Sequence, residues 1–210
     1  MIFAAIQVQR TSNNLSTIMK LVVKKSVTID KPAADVWKFL WDDFGDLHKS
    51  FSNVKECKLL KEEGTGDKTD GSAEAAVVVD GISGRELAMM DGSVFTERLI
   101  SVDKKEHILS YNLIGMPLGV PLVGTWRVSP SKEDNTKTEL EVEDVVELSY
   151  WPPSFIAYPI FSLLMPAAAE GMLEDSKHYI ETGEPSPAKA ESLKQIKRDE
   201  NLVTLANSMK

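Results

Sequence analysis

Tyr158-Pro-Ile-Phe-Ser-Leu-Leu-Met-Pro-Ala-Ala-Ala-Glu-Gly-Met-Leu-Glu-Asp-Ser-Lys-His-Tyr-Ile180 is the strongest helical stretch in the chain. Ile160, Leu163, Leu164, Ala167, Ala168, Gly171, Met172 and Tyr179 recur at steps of three and four, which predicts one buried face. Glu170, Glu174 and Lys177 fall largely opposite. The middle of the expected buried face is small, at Ala167, Ala168 and Gly171, so a helix laid there on a sheet leaves room between the layers. Close backbone approach fills such room in one reading, and a cavity occupies it in the other. Pro166 disfavours the helical region for Met165, which predicts a short first helix and then a long one. The uncharged run from Trp151 to Ala169 has about the length of a membrane span. Pro152, Pro153, Pro159 and Pro166 interrupt it, and charges follow at once, so no stable span is expected.

The remainder of the chain bounds what this helix belongs to. With 210 residues and 42% hydrophobic content, one well-buried domain is expected. A net charge of −8 and the absence of a basic cluster interleaved with aromatics argue against nucleic acid as a partner. Cys57 is the single cysteine, which excludes an internal disulfide and fits a reducing, cytoplasmic setting. His48, His107 and His178 lack paired-ligand spacing, so neither a metal nor another cofactor is implied. Residues 1–20 read as an extension or a weak organelle-targeting leader: an apolar start, then Ser, Thr and Asn with one Arg and no acid. Translation from Met19 is the further alternative. The sequence sets no oligomeric state.

Residues 21–182 form the expected domain. A strand over 21–30 carries Val23, Val27 and Ile29 on one face. Asp30 is the expected N-cap of a helix with Pro32 in its first turn and Val36, Phe39 and Leu40 buried. A second short helix or a turn is expected over 44–51, then a strand over 54–61. The loop 64–72 carries Gly64, Gly66 and Gly71 but lacks the Gly-Lys-Ser/Thr ending of a phosphate cradle. Residues 73–80 read as an inserted strand. Strands follow at 85–90, 95–102, 108–114, 122–129 and 138–148, with Asp91-Gly92 as a hairpin turn and an apolar Gly/Pro loop at 115–121. Gly183-Glu-Pro-Ser-Pro stops the long helix, and the tail 183–210 is expected to be partly helical on Leu193, Ile196 and Val203.

Strand parity separates the two faces of this meander. On the last strand Leu140, Val142, Val146 and Leu148 share one face, and Glu139, Glu141, Glu143 and Glu147 the other. Asp144 falls among the apolar set, as do Arg85 beside Leu87 and Met89, and Glu97 between Phe95 and Leu99. Buried charges are costly unless paired, so these three should meet one another or a ligand. An Arg85–Glu97 pair that only holds the sheet is one reading; a polar end to an apolar pocket is the other. Cys57 reads as a small buried or half-buried filler.

The order of elements resembles the helix-grip fold of the START/Bet v 1-like superfamily, and within it the polyketide cyclase/dehydrase and lipid-transport-like group. The likeness rests on Val27-Thr-Ile-Asp-Lys-Pro-Ala-Ala-Asp-Val-Trp37, Asp43-Phe-Gly-Asp-Leu47, Gly84-Arg85, Thr96-Glu-Arg-Leu99 and Leu109-Ser-Tyr-Asn-Leu113. The expected class is α+β: a curved antiparallel sheet wrapped around a long C-terminal helix, with two short helices after the first strand. The resemblance implies a hydrophobic pocket for a lipid, polyketide or isoprenoid-like ligand. Expected lining residues on the first strands are Arg85, Leu87, Met89, Phe95, Glu97 and Leu99. Leu109, Tyr111, Leu113, Met116, Leu118, Leu122 and Trp126 continue the wall, and Ala168 and Met172 close it from the helix. The alternative is a cyclase- or dehydrase-like enzyme in which Glu97, Asp144 and Tyr111 supply general acid–base groups. A purely interacting subunit with a side-chain-filled interior is the third class. The strand Thr96-Glu-Arg-Leu99 is also similar to plant abscisic acid receptors. Their Ser-Gly-Leu-Pro-Ala gate and His-Arg-Leu latch are absent, so that mode of hormone reception is not expected.

Overall fold

The computed structural model describes residues 3–9, 18–62, 77–132, 134, 136–149 and 152–208. The loop at 64–72 and the first part of the 73–80 run lie outside the described residues. Of that run, Val79 makes an isolated bridge to Ile82 instead of a strand. The strands are β1 (Phe3–Gln9), β2 (Ile18–Ile29), β3 (Val54–Lys61), β4 (Ile82–Met89), β5 (Val94–Asp103), β6 (Ile108–Ile114), β7 (Leu122–Pro130) and β8 (Thr138–Ser149). They form one antiparallel sheet in the order β1-β2-β8-β7-β6-β5-β4-β3. β1 comes from the stretch read as an extension. It carries no charge, and it pairs along the edge of β2 from Phe3–Lys24 to Gln9–Ile18, covering backbone groups an edge would leave open.

The alternation of β8 sets which face is inside. Leu140, Val142, Val146 and Leu148 are buried. The outward glutamates meet basic partners: Glu147 with Lys20 at 2.8 Å, Glu141 with Lys24 at 2.9 Å, and Glu143 with Arg127 at 3.0 Å. Such exposed ladders contribute only tenths of a kcal/mol to about 1 kcal/mol each; the buried face dominates.

Helix α1 (Ala33–Trp41) buries Val36, Trp37, Phe39, Leu40 and Trp41. Its N-cap is Pro32, with no side-chain cap, so the Asp30 expectation fails. The Asp30 backbone N–H instead donates to Glu181 Oε1 at 2.8 Å. A 3-10 turn, Phe44–Lys49, follows and buries Phe44 and Leu47. These two pieces are the pair of short helices after the first long strand.

Helix α2 (Pro152–Thr182) runs unbroken through Pro159 and Pro166, and this corrects the two-helix expectation. Phe161 and Met165 between the prolines, and Ala169 and Leu173 after Pro166, are buried and hold both parts to the same core. The helix is also rotated about one residue from the expected face. Phe161, Met165, Ala169 and Leu173 are buried, while Ile160, Leu163, Leu164, Ala167 and Ala168 are exposed, Leu163 by 74%. Polar contacts along the helix fix this rotation: Glu170 takes Lys25 at 2.9 Å, and Lys177 donates to the Thr28 carbonyl at 2.7 Å. No described helix is long and apolar enough to cross a membrane.

Helix α3 (Pro187–Ser208) is longer than the expected tail helix and is pinned at its start. Ser186 donates to Asp175, accepts the Lys189 N–H at 3.1 Å, and so caps the helix. Asp175 also accepts the Ser52 N–H at 2.7 Å, and Lys189 Nζ reaches the Val54 carbonyl at 2.6 Å. Burial lowers the Lys189 pKa, with Asp175 pulling the other way.

Candidate functional site

Residues opposite one another in an antiparallel ladder share a face, so register alone lays out the inner wall. One row runs Arg85–Glu97–Leu113–Leu122–Val146–Leu21 across six strands. The next runs Leu99–Tyr111–Gly124–Asp144–Val23. Arg85, Glu97 and Asp144, the three ionisable residues expected inside, are all buried.

Arg85 and Glu97 meet directly, with Nε to Oε2 at 2.5 Å. Nη1 donates to the Phe44 carbonyl at 2.9 Å, and the guanidinium lies 3.9 Å from the centroid of the Phe44 ring. Phe44 was not singled out from sequence as a partner of Arg85; its place in Asp43-Phe-Gly-Asp-Leu47 was the available signal. The Arg85 charge is thus held from three sides. Cys57 lies half-buried nearby, its thiol pKa raised by burial while Arg85 pulls it down.

Asp144 and Tyr111 stand apart from that pair. Gly124 lies between them on β7, and a Cβ there would overlap the end of the Tyr111 ring and its hydroxyl. The glycine therefore lets Tyr111 lean across β7 toward β8. Burial, then Glu97 and Glu143, push the Asp144 carboxyl up to about 7. Burial, then Glu97 and Asp144, hold the Tyr111 phenol well above its ordinary value. Tyr111 stays neutral, and Asp144 changes charge near neutrality.

The remaining expected residues divide by depth. Leu99, Leu109 and Trp126 lie deep, where the Phe51 ring packs 6.4 Å from Trp126. Leu87 and Leu122 are buried as well. Met89, Phe95, Leu113, Met116 and Met172 keep partial exposure although they adjoin the core. Val94 and Ile114, 51% and 53% exposed, lie on the outer face, opposite Ala88 and Thr96. The Leu118 side chain lies outside the described residues. Ala168 is a correction: the rotation of α2 leaves it exposed beside Leu164, off the buried stripe.

The cause of the half-open wall is the placement of the helix. α2 packs on β2 and β8, and among the described residues it makes no comparable approach to β4, β5 or β6. A side chain added at Gly171 would meet nothing within 4 Å, so close backbone approach does not account for the small residue there. Gly115 and Gly119 flank Met116 with positive φ of 99° and 63°, a conformation that favours glycine. Among the described residues no three His, Cys, Asp or Glu side chains gather to hold a metal ion.

Residues 20–180 match the profile of the family described as polyketide cyclase / dehydrase and lipid transport. No curated protein sequence matches the chain. Among solved structures, norcoclaurine synthase from Thalictrum flavum is similar at 15% identity and a TM-score of 0.56, covering 78% of this chain and 96% of that one. A START superfamily protein from Mycobacterium smegmatis is similar at 17% identity and a TM-score of 0.53, with coverages of 76% and 97%. The Zhui aromatase/cyclase from Streptomyces sp. R1128 is similar at 16% identity and a TM-score of 0.53, with coverages of 78% and 98%. At these identities the likeness establishes the α+β helix-grip fold.

Proposed function

The chain belongs to the polyketide cyclase/dehydrase and lipid transport family, and from that premise we propose that it binds a small hydrophobic ligand between sheet and long helix. A lipid, polyketide or isoprenoid-like molecule fits the apolar wall. The observation that carries this reading is the partly exposed inner wall of Met89, Phe95 and Leu113, on strands that α2 approaches less closely than β2 and β8. Concave apolar surfaces with a few converging polar groups are the common form of small-molecule sites. Here Arg85, Glu97, Tyr111 and Asp144 are the polar groups, and the loop around Met116, with its two glycines, is the entrance. A cytoplasmic location fits the single, unpaired Cys57.

Native mass spectrometry of the purified protein tests this reading. The expected result is an apolar molecule released on denaturation, or one equivalent taken up from an added lipid mixture. A protein that emerges empty and takes up nothing sinks the proposal.

One observation favours a second reading, a cyclase- or dehydrase-like enzyme. A carboxyl that titrates near 7 beside a neutral phenol suits general acid–base work at cellular pH. Turnover of a polyketide-like substrate that disappears in folded Asp144→Asn or Glu97→Gln protein establishes catalysis. Binding without turnover leaves the binding module standing alone.

A further inference from the structure

Among the described residues the buried charges of the sheet are Arg85, Glu97 and Asp144, and Asp144 is the one without an ion pair. On the outer face of β8, Glu141, Glu143 and Glu147 each take a lysine or arginine. Inside, Arg85 is committed to Glu97 and the Phe44 carbonyl. Lys25, on the strand beside β8, reaches away to Glu170. Lys189, which is buried, is tied to the Val54 carbonyl. Asp144 is 5% exposed, and none of the influences on its carboxyl is a hydrogen bond. A buried carboxyl left in this state is costly, and a ligand group that donates to it removes the cost.

The direction of that donor follows from Gly124. Tyr111 crosses the bare glycine with its hydroxyl end toward β8, where Asp144 stands directly opposite Gly124. The two side chains therefore bound one polar spot on an otherwise apolar wall, with Val23 and Leu99 closing its row. Tyr111 offers one O–H and can accept; an ionised Asp144 only accepts. Among the described residues, no uncommitted cation faces this spot. A ligand carboxylate or phosphate would meet the Asp144 carboxyl with no free counter-charge, because Arg85 is already held by Glu97, whereas an ammonium or hydroxyl donates to that carboxyl.

Resting on the ligand-binding reading above, we infer that the ligand carries a hydrogen-bond-donating head group without negative charge, an amine or an alcohol, seated between Tyr111 and Asp144 over Gly124. The site is then a selector against anionic amphiphiles such as fatty acids.

Calorimetric titration of the full-length protein at about pH 8 with decylamine, decanol and decanoate separates the cases. The expected order is decylamine, then decanol, with decanoate weaker than decanol by about tenfold or more, which corresponds to about 1.4 kcal/mol. In Asp144→Asn, which keeps the shape and removes the charge, decylamine should fall to the decanol level and decanoate should gain. Tyr111→Phe should weaken decanol several-fold with little effect on a non-polar probe such as Nile red. Circular dichroism checks that each variant is folded, and the wild-type ranking stands as a test if one variant is not. Decanoate binding as tightly as decanol overturns the inference and leaves the ligand-binding reading intact. An unchanged ranking in folded Asp144→Asn also overturns it. Failure of all three ligands and of Nile red overturns both.

Discussion

The two ends of the interior are built from the same strands and differ in what covers them. Under α1 and the 3-10 turn, Leu109 and Trp126 meet Phe39, Phe51 and Tyr179, with ring centroids 5.9 to 6.4 Å apart along that chain of aromatics. At the other end Met89, Phe95 and Leu113 face inward without a helix close over them. The lesson is that inward parity does not by itself make a core. Parity selects the residues, and the covering helix decides whether they become packing or a binding wall. The Arg85–Glu97 pair and Asp144 lie along the seam between the ends.

Substitutions that break this contrast should differ sharply in cost. Trp126→Ala at the closed end should lose roughly 3 to 5 kcal/mol of stability, the range for large-to-small changes in a packed core. Denaturant unfolding measures it, and a loss near 1 kcal/mol would mean that the closed end is not packed as described.

Along the seam, Asp144 makes a prediction with a definite sign. Its folded pKa of about 7 lies above the ordinary 3.8, so the unfolded chain ionises first as pH rises. Stability from this group is therefore intact below about pH 4, falls between 4 and 7, and levels off above 7. Three pKa units at about 1.4 kcal/mol each set an upper bound of ~4 kcal/mol. Asp144→Asn should accordingly be more stable than wild type at pH 8 by up to that amount and indistinguishable at pH 4. Equal stability at both pH values would place the carboxyl in a solvated setting.

Glu97→Gln leaves the Arg85 charge buried without its partner and should cost ~3 kcal/mol. Arg85→Met combined with Glu97→Leu should recover much of that loss, because no lone charge remains. A double variant no better than the single one would show that the pair holds the sheet by more than mutual neutralisation. The smallest stability effect is expected at the open end. Leu113→Ala should cost only ~1 kcal/mol, since its side chain is partly exposed already, yet weaken an apolar ligand measurably by titration.

Much of this was legible in the sequence, through particular patterns. The alternation Leu140, Val142, Val146 and Leu148 against four glutamates gave the inner face of β8, and with it the oddity of Asp144. The same parity placed Arg85 and Glu97 together. The rotation of α2 was not legible, because both Leu163-Leu164 and Phe161-Met165 make acceptable apolar stripes. Contacts distant in sequence, Lys25 with Glu170 and Lys177 with the Thr28 carbonyl, select between them. That choice is why Ala168 fell outside the wall. The unbroken course through Pro166 was hidden for a similar reason: local preference for a break yields to burial of Met165 before it and of Ala169 and Leu173 after it. Nor did the sequence single out the buried Ser186–Asp175–Lys189 anchor, since each residue alone reads as surface.

The account's central claim is that the open end takes up an apolar molecule. Nile red titration of wild type and of Leu113→Arg, each checked for folding by circular dichroism, tests it most directly. Saturable one-to-one binding by wild type, lost or weakened more than tenfold in the folded arginine variant, is the predicted result. No saturable binding by wild type, or equal binding by both proteins, would contradict it.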